Sequence, residues 1–385
     1  MNMSRDDADE AQQTSSMPNA LDRHSMSKTR LACVIPSLQP GGMERVMATL
    51  IEEFVQQELF SVDLVLYGRG RERFFEIPAS VAVHEPPFSF DDHSRLIATA
   101  LTARFLRATL VQLKPDYVLS FGELWNSFVM LSMLGNSQRI IVSDRCQPLK
   151  SFRLHQEWLR ALLYPRSHRV IVQTKIAQKH YEKRFPGASL HTVGNPIKIP
   201  REINLELRKK QILNVARLID SKHQDRLIHM FASLDLDDWE LVILGDDALG
   251  QQNRSRLLSL ATELGVSDRV FIKGTVSNVE HYYQSASVFA FPSSSEGFPN
   301  ALAEAMAHGM ACVSYDCCAG PADIIEHGQN GFLVPVFQDR EFSDHMQRLM
   351  ADDTLRVRMG AAAHQSMKKF SAARIAEAYA NAILS

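Results

Sequence analysis

Cysteine is scarce. The five in the chain, Cys33, Cys146, Cys312, Cys317 and Cys318, show no C-x2-C pairing, and the adjacent Cys317-Cys318 are poorly placed for a structural disulfide. A reducing cytosol is the simplest setting for such a pattern. Excess charge is missing too, with 42 Lys and Arg against 44 Asp and Glu, a formal net charge of −2. Nothing global therefore argues for nucleic acid, and any contact with a membrane must come from a local patch. Long apolar runs are wanting as well: no stretch approaches the roughly 20 residues that a spanning helix needs, and the amino terminus is polar rather than signal-like. The protein reads as soluble or peripheral. What is there is an ordinary globular composition spread over 385 residues, too long for one small core and suited to two domains.

Residues 1–28 are rich in Ser, Asp, Gln and Met with almost no large apolar groups, which predicts a disordered tail. After it, short apolar runs alternate with helical stretches. Strands are expected over 29–36, 62–67, 117–120, 139–143, 169–173 and 190–193, and again over 211–215, 240–244, 270–272, 287–292 and 311–315. That alternation predicts parallel sheets covered by helices, an α/β architecture. The Gly194-Asn195-Pro196 turn and the polar, proline-bounded stretch 197–209 read as a hinge. The domains expected are thus 29–197 and 198–370, followed by a terminal segment 371–385 that holds an amphipathic helix from Ala372 to Leu384.

The chemistry concentrates between Phe291 and Gly309, where a buried strand gives way to Ser293-Ser294-Ser295 and then to an Ala/Leu/Met-rich helix from Asn300 to His308. In an open α/β sheet such a corner lies where ligands bind, and a helix start offers free N–H groups to an anion. Glu296 and Glu304 flank it with seven residues between them. Carboxylates accept paired hydrogen bonds from vicinal hydroxyls, so the pair suits a sugar at one end of a diphosphate and a ribose at the other, with phosphates over residues 299–301. After the strand 211–215 come Arg217 and Lys222, a planar fork of donors and a compact charge that together suit a diphosphate. Gly41 and Gly42 open the helix at Met43, so backbone can approach a ligand with no Cβ in the way. Two further strand ends place Glu123, Asp144 and Arg145 on loops facing the cleft, as candidates for the acceptor side.

Glu296-Gly297-Phe298-Pro299-Asn300-Ala301, followed by Glu304-Ala305-Met306-Ala307, resembles the Glu-x7-Glu signature of retaining nucleotide-sugar glycosyltransferases of family 4. The resemblance implies the GT-B fold, two Rossmann-like domains with parallel sheets facing an interdomain cleft, the first taking acceptor and the second donor. It further implies that Glu296 holds sugar hydroxyls and Glu304 the ribose. Arg217 and Lys222 would grip the diphosphate, Gly41 and Gly42 would face it from the other domain, and residues 297–301 would complete the donor site. Asp316-Cys317-Cys318-Ala319-Gly320-Pro321-Ala322-Asp323-Ile324-Ile325 is similar to a stretch of galactosyl- and N-acetylgalactosaminyl-transferring relatives, which points to a UDP-hexose; Asp323 replaces their common Glu. The run 143–148 resembles one in relatives that assemble surface polysaccharides, while a histidine that more distant relatives carry near it is missing. In retaining enzymes of this fold the departing phosphate takes the acceptor proton, so no catalytic base is required. The implied acceptor is a glycan or polyprenyl-linked oligosaccharide at the cytoplasmic membrane face, and the terminal helix would cross back onto the first domain. No cofactor is implied beyond the sugar nucleotide itself.

Asp235-Leu236-Asp237 spells the D-x-D of metal-dependent transferases, but it falls at a helix end far in sequence from the Glu pair and reads as a solvated turn; no metal is predicted. Between Ser94 and Lys114, Leu96, Ile97, Ala100, Leu101, Phe105, Leu106 and Leu110 form a stripe that reads as core-facing, with an interfacial helix on anionic lipid as the sharper alternative. Two other functions fit the same pocket. An epimerase or hydrolase of the same fold would turn the donor over unaided, and a non-catalytic sugar-nucleotide-binding subunit would bind it without transfer.

Overall fold

The computed structural model describes residues 28–69, 72–205, 208–234 and 238–385. The tail expected over 1–28, Lys28 excepted, and the Asp235-Leu236-Asp237 turn lie outside the described residues. The first half runs β1 (Arg30–Ile35), α1 (Gly42–Gln56), β2 (Ser61–Leu66), β3 (Ala82–His84), α2 (Arg95–Leu113), β4 (Tyr117–Phe121), α3 (Asn126–Ser132), β5 (Arg139–Ser143), α4 (Leu154–Leu163), β6 (Arg169–Val172), α5 (Lys175–Arg184) and β7 (Leu190–Thr192). The second runs β8 (Lys209–Val215), α6 (Gln224–Ala232), β9 (Glu240–Leu244), α7 (Asn253–Glu263), β10 (Val270–Ile272), α8 (Val279–Ser285), β11 (Ala286–Phe291), α9 (Asn300–Ala307), β12 (Ala311–Asp316), α10 (Pro321–Ile324), β13 (Phe332–Pro335), α11 (Asp339–Ala351) and α12 (Asp353–Met367). The chain ends in α13 (Ala372–Leu384).

All strand pairs are parallel, in the orders β3-β2-β1-β4-β5-β6-β7 and β10-β9-β8-β11-β12-β13. The reversal of order beside β1 and beside β8 is the switch point at which doubly wound sheets open a crevice. Side chains alternate in β1: Leu31, Cys33 and Ile35 pack with α1 and α13, while Ala32 and Val34 pack with α2 and α3. Both faces are covered, which is why these strands read as unbroken apolar runs. The terminal helix buries Ile375, Ala376, Tyr379, Ala380 and Ile383 in the first half's core, against α1. β3, only three residues long and without an apolar pattern, has no counterpart in the sequence reading.

Helix α2 departs from the expected stripe. Its buried line is Ala98, Thr102, Leu106 and Leu110, spaced four apart, whereas Leu96 and Ile97 are exposed. The helix is apolar nearly all round, so periodicity could not say which flank meets the sheet. Among the described residues it is also the one helix long and apolar enough, by length and composition, to cross a membrane, which the sequence reading had not found.

Candidate active site

Parallel strands deliver their carboxyl ends to one edge of each sheet, and a cleft of about 570 Å³ is lined by loops from both halves. On the second half's side, β8 ends at Val215 and the chain turns through Arg217. Gly245, just past β9, lies under that turn at φ +139°. A Cβ there would sit 1.9 Å from the Ala216 carbonyl oxygen, so only glycine lets the two loops nest. The turn Asp220–Lys222 then swings Lys222 into the cleft, where its ammonium is ion-paired with Glu296 and lies 3.3 Å from the Ser293 hydroxyl. The fully buried β11 launches the loop that carries Ser293 and Glu296, and the Ser294 N–H donates to the Ser221 carbonyl at 3.0 Å. Arg217, Lys222, Glu296, Gly297, Phe298 and Asn300 thus share one wall.

The anion seat expected over 299–301 needs a correction. Pro299 has no amide hydrogen, and the Asn300 N–H donates to the Phe298 carbonyl at 2.9 Å. The seat moves along α9 to the first-turn amides of Ala301 and Leu302, which have no acceptor within the helix. Glu304 lies around the corner, in a second cavity of about 490 Å³ that shares Asn300 with the first. One of its oxygens is 2.6 Å from the Arg45 guanidinium, reaching over from α1, and the other accepts from the Tyr283 hydroxyl at 3.1 Å. Arg45 and Tyr283 were not among the candidates. Arg45 could have been found, since it closes the same Gly-Gly-Met-Glu-Arg run that supplied Gly41 and Gly42.

The first half contributes Gly42, whose Cβ position would be 3.6 Å from the Asn300 side-chain nitrogen. Gly41 does not line the cleft; it is the residue before α1, where a Cβ would collide with the Glu44 carboxylate. A Cβ on Gly297 would lie 2.8 Å from the Arg145 carbonyl oxygen, so this glycine is one of the places where the two halves approach closely. Arg145 lines the cleft with its two terminal nitrogens engaged, 2.8 Å to the Tyr379 hydroxyl and 2.5 Å to the Asn195 side-chain oxygen, its guanidinium 4.9 Å from the Phe121 ring centre and its buried Nε without a partner among the described residues. Asn195 donates onward to the Asn300 side-chain oxygen at 2.7 Å. A relay of side chains therefore joins α13, the hinge turn and the start of α9. Glu123 sits beside this relay and accepts from the Arg145 backbone N–H at 3.3 Å.

Asp144 does not face the cleft. It is buried, paired with Arg160 at 2.5 Å, and accepts from the Tyr164 hydroxyl at 2.7 Å, the Tyr181 hydroxyl at 2.6 Å and the Asn126 amide at 2.9 Å. Burial, then the Asp144 charge, pushes both phenols well above their ordinary value, so they remain protonated donors. Its acceptor-side role is withdrawn in favour of holding the loop on which Arg145 stands.

His308, at the end of α9, stacks on Tyr283 with ring centres 5.3 Å apart, and its Nδ1 lies 2.8 Å from the Glu304 carbonyl oxygen. Burial lowers its pKa. His223, next to Lys222, is likewise lowered by burial. A base whose folded pKa lies below its unfolded one takes up protons preferentially when unfolded, so stability is complete above the unfolded value of about 6.5 and falls as pH drops below it. Melting temperatures recorded between pH 7.5 and 5.5 should decline, and less so in His308→Gln; a flat profile for the parent chain would contradict the assignment.

Two facing doubly wound domains, with Arg217, Lys222, Glu296 and a helix start lining the cleft between them, have the two-Rossmann, GT-B architecture. The comparisons agree. The family model "Glycosyl transferases group 1" matches residues 197–366 and "Glycosyltransferase Family 4" matches residues 40–201. The chain belongs to the family 4 glycosyltransferases. It is 25% identical over 336 residues, 85% of this chain and 91% of the relative, to the amylovoran biosynthesis glycosyltransferase AmsD of Erwinia amylovora. It is 28% identical over 374 residues, 90% of this chain and 97% of the relative, to an N-acetylgalactosaminyltransferase of Campylobacter jejuni named for a diphospho-undecaprenol acceptor. Among solved structures, the lipopolysaccharide outer core galactosyltransferase WaaB superposes with a TM-score of 0.76 at 20% identity, covering 92% of this chain and 99% of that one.

Proposed function

We propose that this glycosyltransferase moves a hexose, with retention, from a UDP-sugar to a glycan or polyprenyl-linked oligosaccharide in cell-surface polysaccharide assembly, at the cytoplasmic face of the membrane and without a metal. The observation that carries the reading is the convergence of Arg217, Lys222, Glu296 and the α9 start in one cleft, with Glu304 one cavity further along. A diphosphate arriving there competes with Glu296 for Lys222. Once the ammonium turns to the phosphates, Glu296 is released to accept hydrogen bonds from the sugar ring. Arg217, Lys222 and the first-turn amides of α9 then stabilise charge that grows on the leaving diphosphate as the glycosidic bond opens. The acceptor oxygen enters from the same face, and its proton passes to the departing phosphate oxygen. The donor class is supported by the Asp316–Ile325 resemblance; the acceptor class is supported by the names of the Campylobacter and Erwinia relatives.

The test is a screen of UDP-galactose, UDP-N-acetylgalactosamine and UDP-glucose against undecaprenyl-diphospho-linked acceptors, with the product's anomeric configuration read by NMR. An α-linkage formed equally well in EDTA is expected. A β-linkage, EDTA-sensitive turnover, or donor consumption without transfer would each refute the corresponding part.

A further inference from the structure

Left-handed backbone is uncommon outside glycine, and a bulky residue that adopts it needs surroundings that hold it there. Two such residues meet beside Lys222. His223 (φ +50°) joins the turn Asp220–Lys222 to α6, and Phe337 (φ +70°) lies between β13 and α11. Their rings pack edge to face with centres 5.2 Å apart. Phe337 is braced in turn by the Arg226 guanidinium, 4.6 Å from its ring centre, and Arg226 is ion-paired with Asp339 at 2.6 Å. The His223 Nε2 lies 2.7 Å from the Ser294 hydroxyl. None of His223, Ser294 and Phe337 lines the cleft, yet His223 directly follows Lys222, and Ser294 stands two residues before Glu296.

We propose that His223 is a positioning residue, whose imidazole ties the turn that carries Lys222 to the loop that carries Glu296 and so fixes the ammonium where a diphosphate is gripped. The tie completes a seam between the two loops. Its backbone part converges on the Ser221 carbonyl oxygen, which accepts from the Ser294 N–H at 3.0 Å and from the Ser293 hydroxyl at 3.4 Å. Those bonds end at Ser221, one residue short of Lys222. The imidazole fastens the far side of the lysine, with Ser294 and Phe337 both holding its ring. Lys222 carries its charge on a flexible four-carbon stem, so the backbone beneath it must be fixed for the ammonium to meet phosphate in one place. A displacement of about 1 Å in such a group is enough to cost a large part of its effect. The inference rests on the proposed donor reading, and its test reads UDP binding in parent and variants, so the two can fail separately.

UDP affinity is measured by calorimetry on the full chain for the parent, His223→Gly, Ser294→Ala and the two combined, each also in a Lys222→Ala background. Glycine accepts left-handed backbone, so His223→Gly removes the ring without straining the turn. Each single variant is expected to weaken UDP binding about five- to tenfold, and the double variant no more than about tenfold, because both changes cut the same tie. Without Lys222 the same changes should shift affinity by less than about twofold, since no ammonium remains to be positioned. Melting temperatures within a few degrees of the parent show the variants folded, and Ser294→Ala, which deletes one hydroxyl, decides the matter if glycine unfolds the turn. Parental affinity in either folded single variant, or additive losses in the double, overturns the proposal. So does an equal loss with and without Lys222, which would reduce His223 to loop packing. A parent chain that does not bind UDP removes the donor reading, and this proposal with it.

Discussion

Glu296→Gln should lower kcat by about two to three orders of magnitude, on the scale seen when one preorganised polar partner of a transition state is removed. The substitution keeps the shape of the side chain and removes its charge. In the ligand-free protein that charge is balanced by Lys222, so the variant leaves the ammonium without its counter-ion and free for phosphate. UDP should therefore bind as well as before or more tightly while transfer collapses. A solvated, non-functional carboxylate would produce neither effect, and near-parental turnover would remove Glu296 from the mechanism. Coupling calorimetry with UDP to steady-state kinetics separates the two readouts. Lys222→Ala should do the reverse to the diphosphate, weakening UDP binding and slowing turnover together.

Asp144→Ala should cost about 3–5 kcal/mol of stability, the range for removing one member of a buried ion pair. Arg160, almost wholly buried, would keep its charge among the rings of Phe152, Tyr164, Tyr181 and Phe185, whose centres lie 4.9–5.5 Å from it. The Tyr164 and Tyr181 hydroxyls would each lose an acceptor at the same time. For a domain of this size that corresponds to a fall in melting temperature of roughly 6–20 °C. The double variant Asp144→Leu/Arg160→Met should recover much of the loss, because an apolar pair no longer leaves a buried guanidinium with only the more distant Glu157, 3.7 Å away, as counter-ion. Differential scanning calorimetry decides it. A single variant melting within a degree or two of the parent would mean that Asp144 is hydrated and open to ligands.

Asp144 and Arg145 show why adjacent residues in one loop could not be sorted from sequence. Both follow the same buried strand, and local pattern assigns both to the cleft. Which of them turns inward depends on Arg160, Tyr164 and Tyr181, residues that become neighbours only when α4 and α5 pack on the sheet. The same holds for Arg145 and Tyr379, bonded at a separation of 234 residues. Arg45 and Glu304 likewise meet only because the two halves close on each other. Helix α2 failed for a different reason: with apolar residues on most flanks, its sequence leaves the buried side undetermined, and the packing of Leu106 and Leu110 against β1, β2 and β4 chooses it.

The sequence alone determined what depends on near neighbours. The alternation of strand and helix, the glycines that permit tight turns, and the spacing that sets Glu296 and Glu304 about one helix start are all written within a few turns of chain. Tertiary structure alone decided which charges meet. Glu296 rests on Lys222, Glu304 on Arg45 and Asp144 on Arg160, because ion pairing depends on distance in space, and the folding of two sheets brings together groups that no local pattern relates.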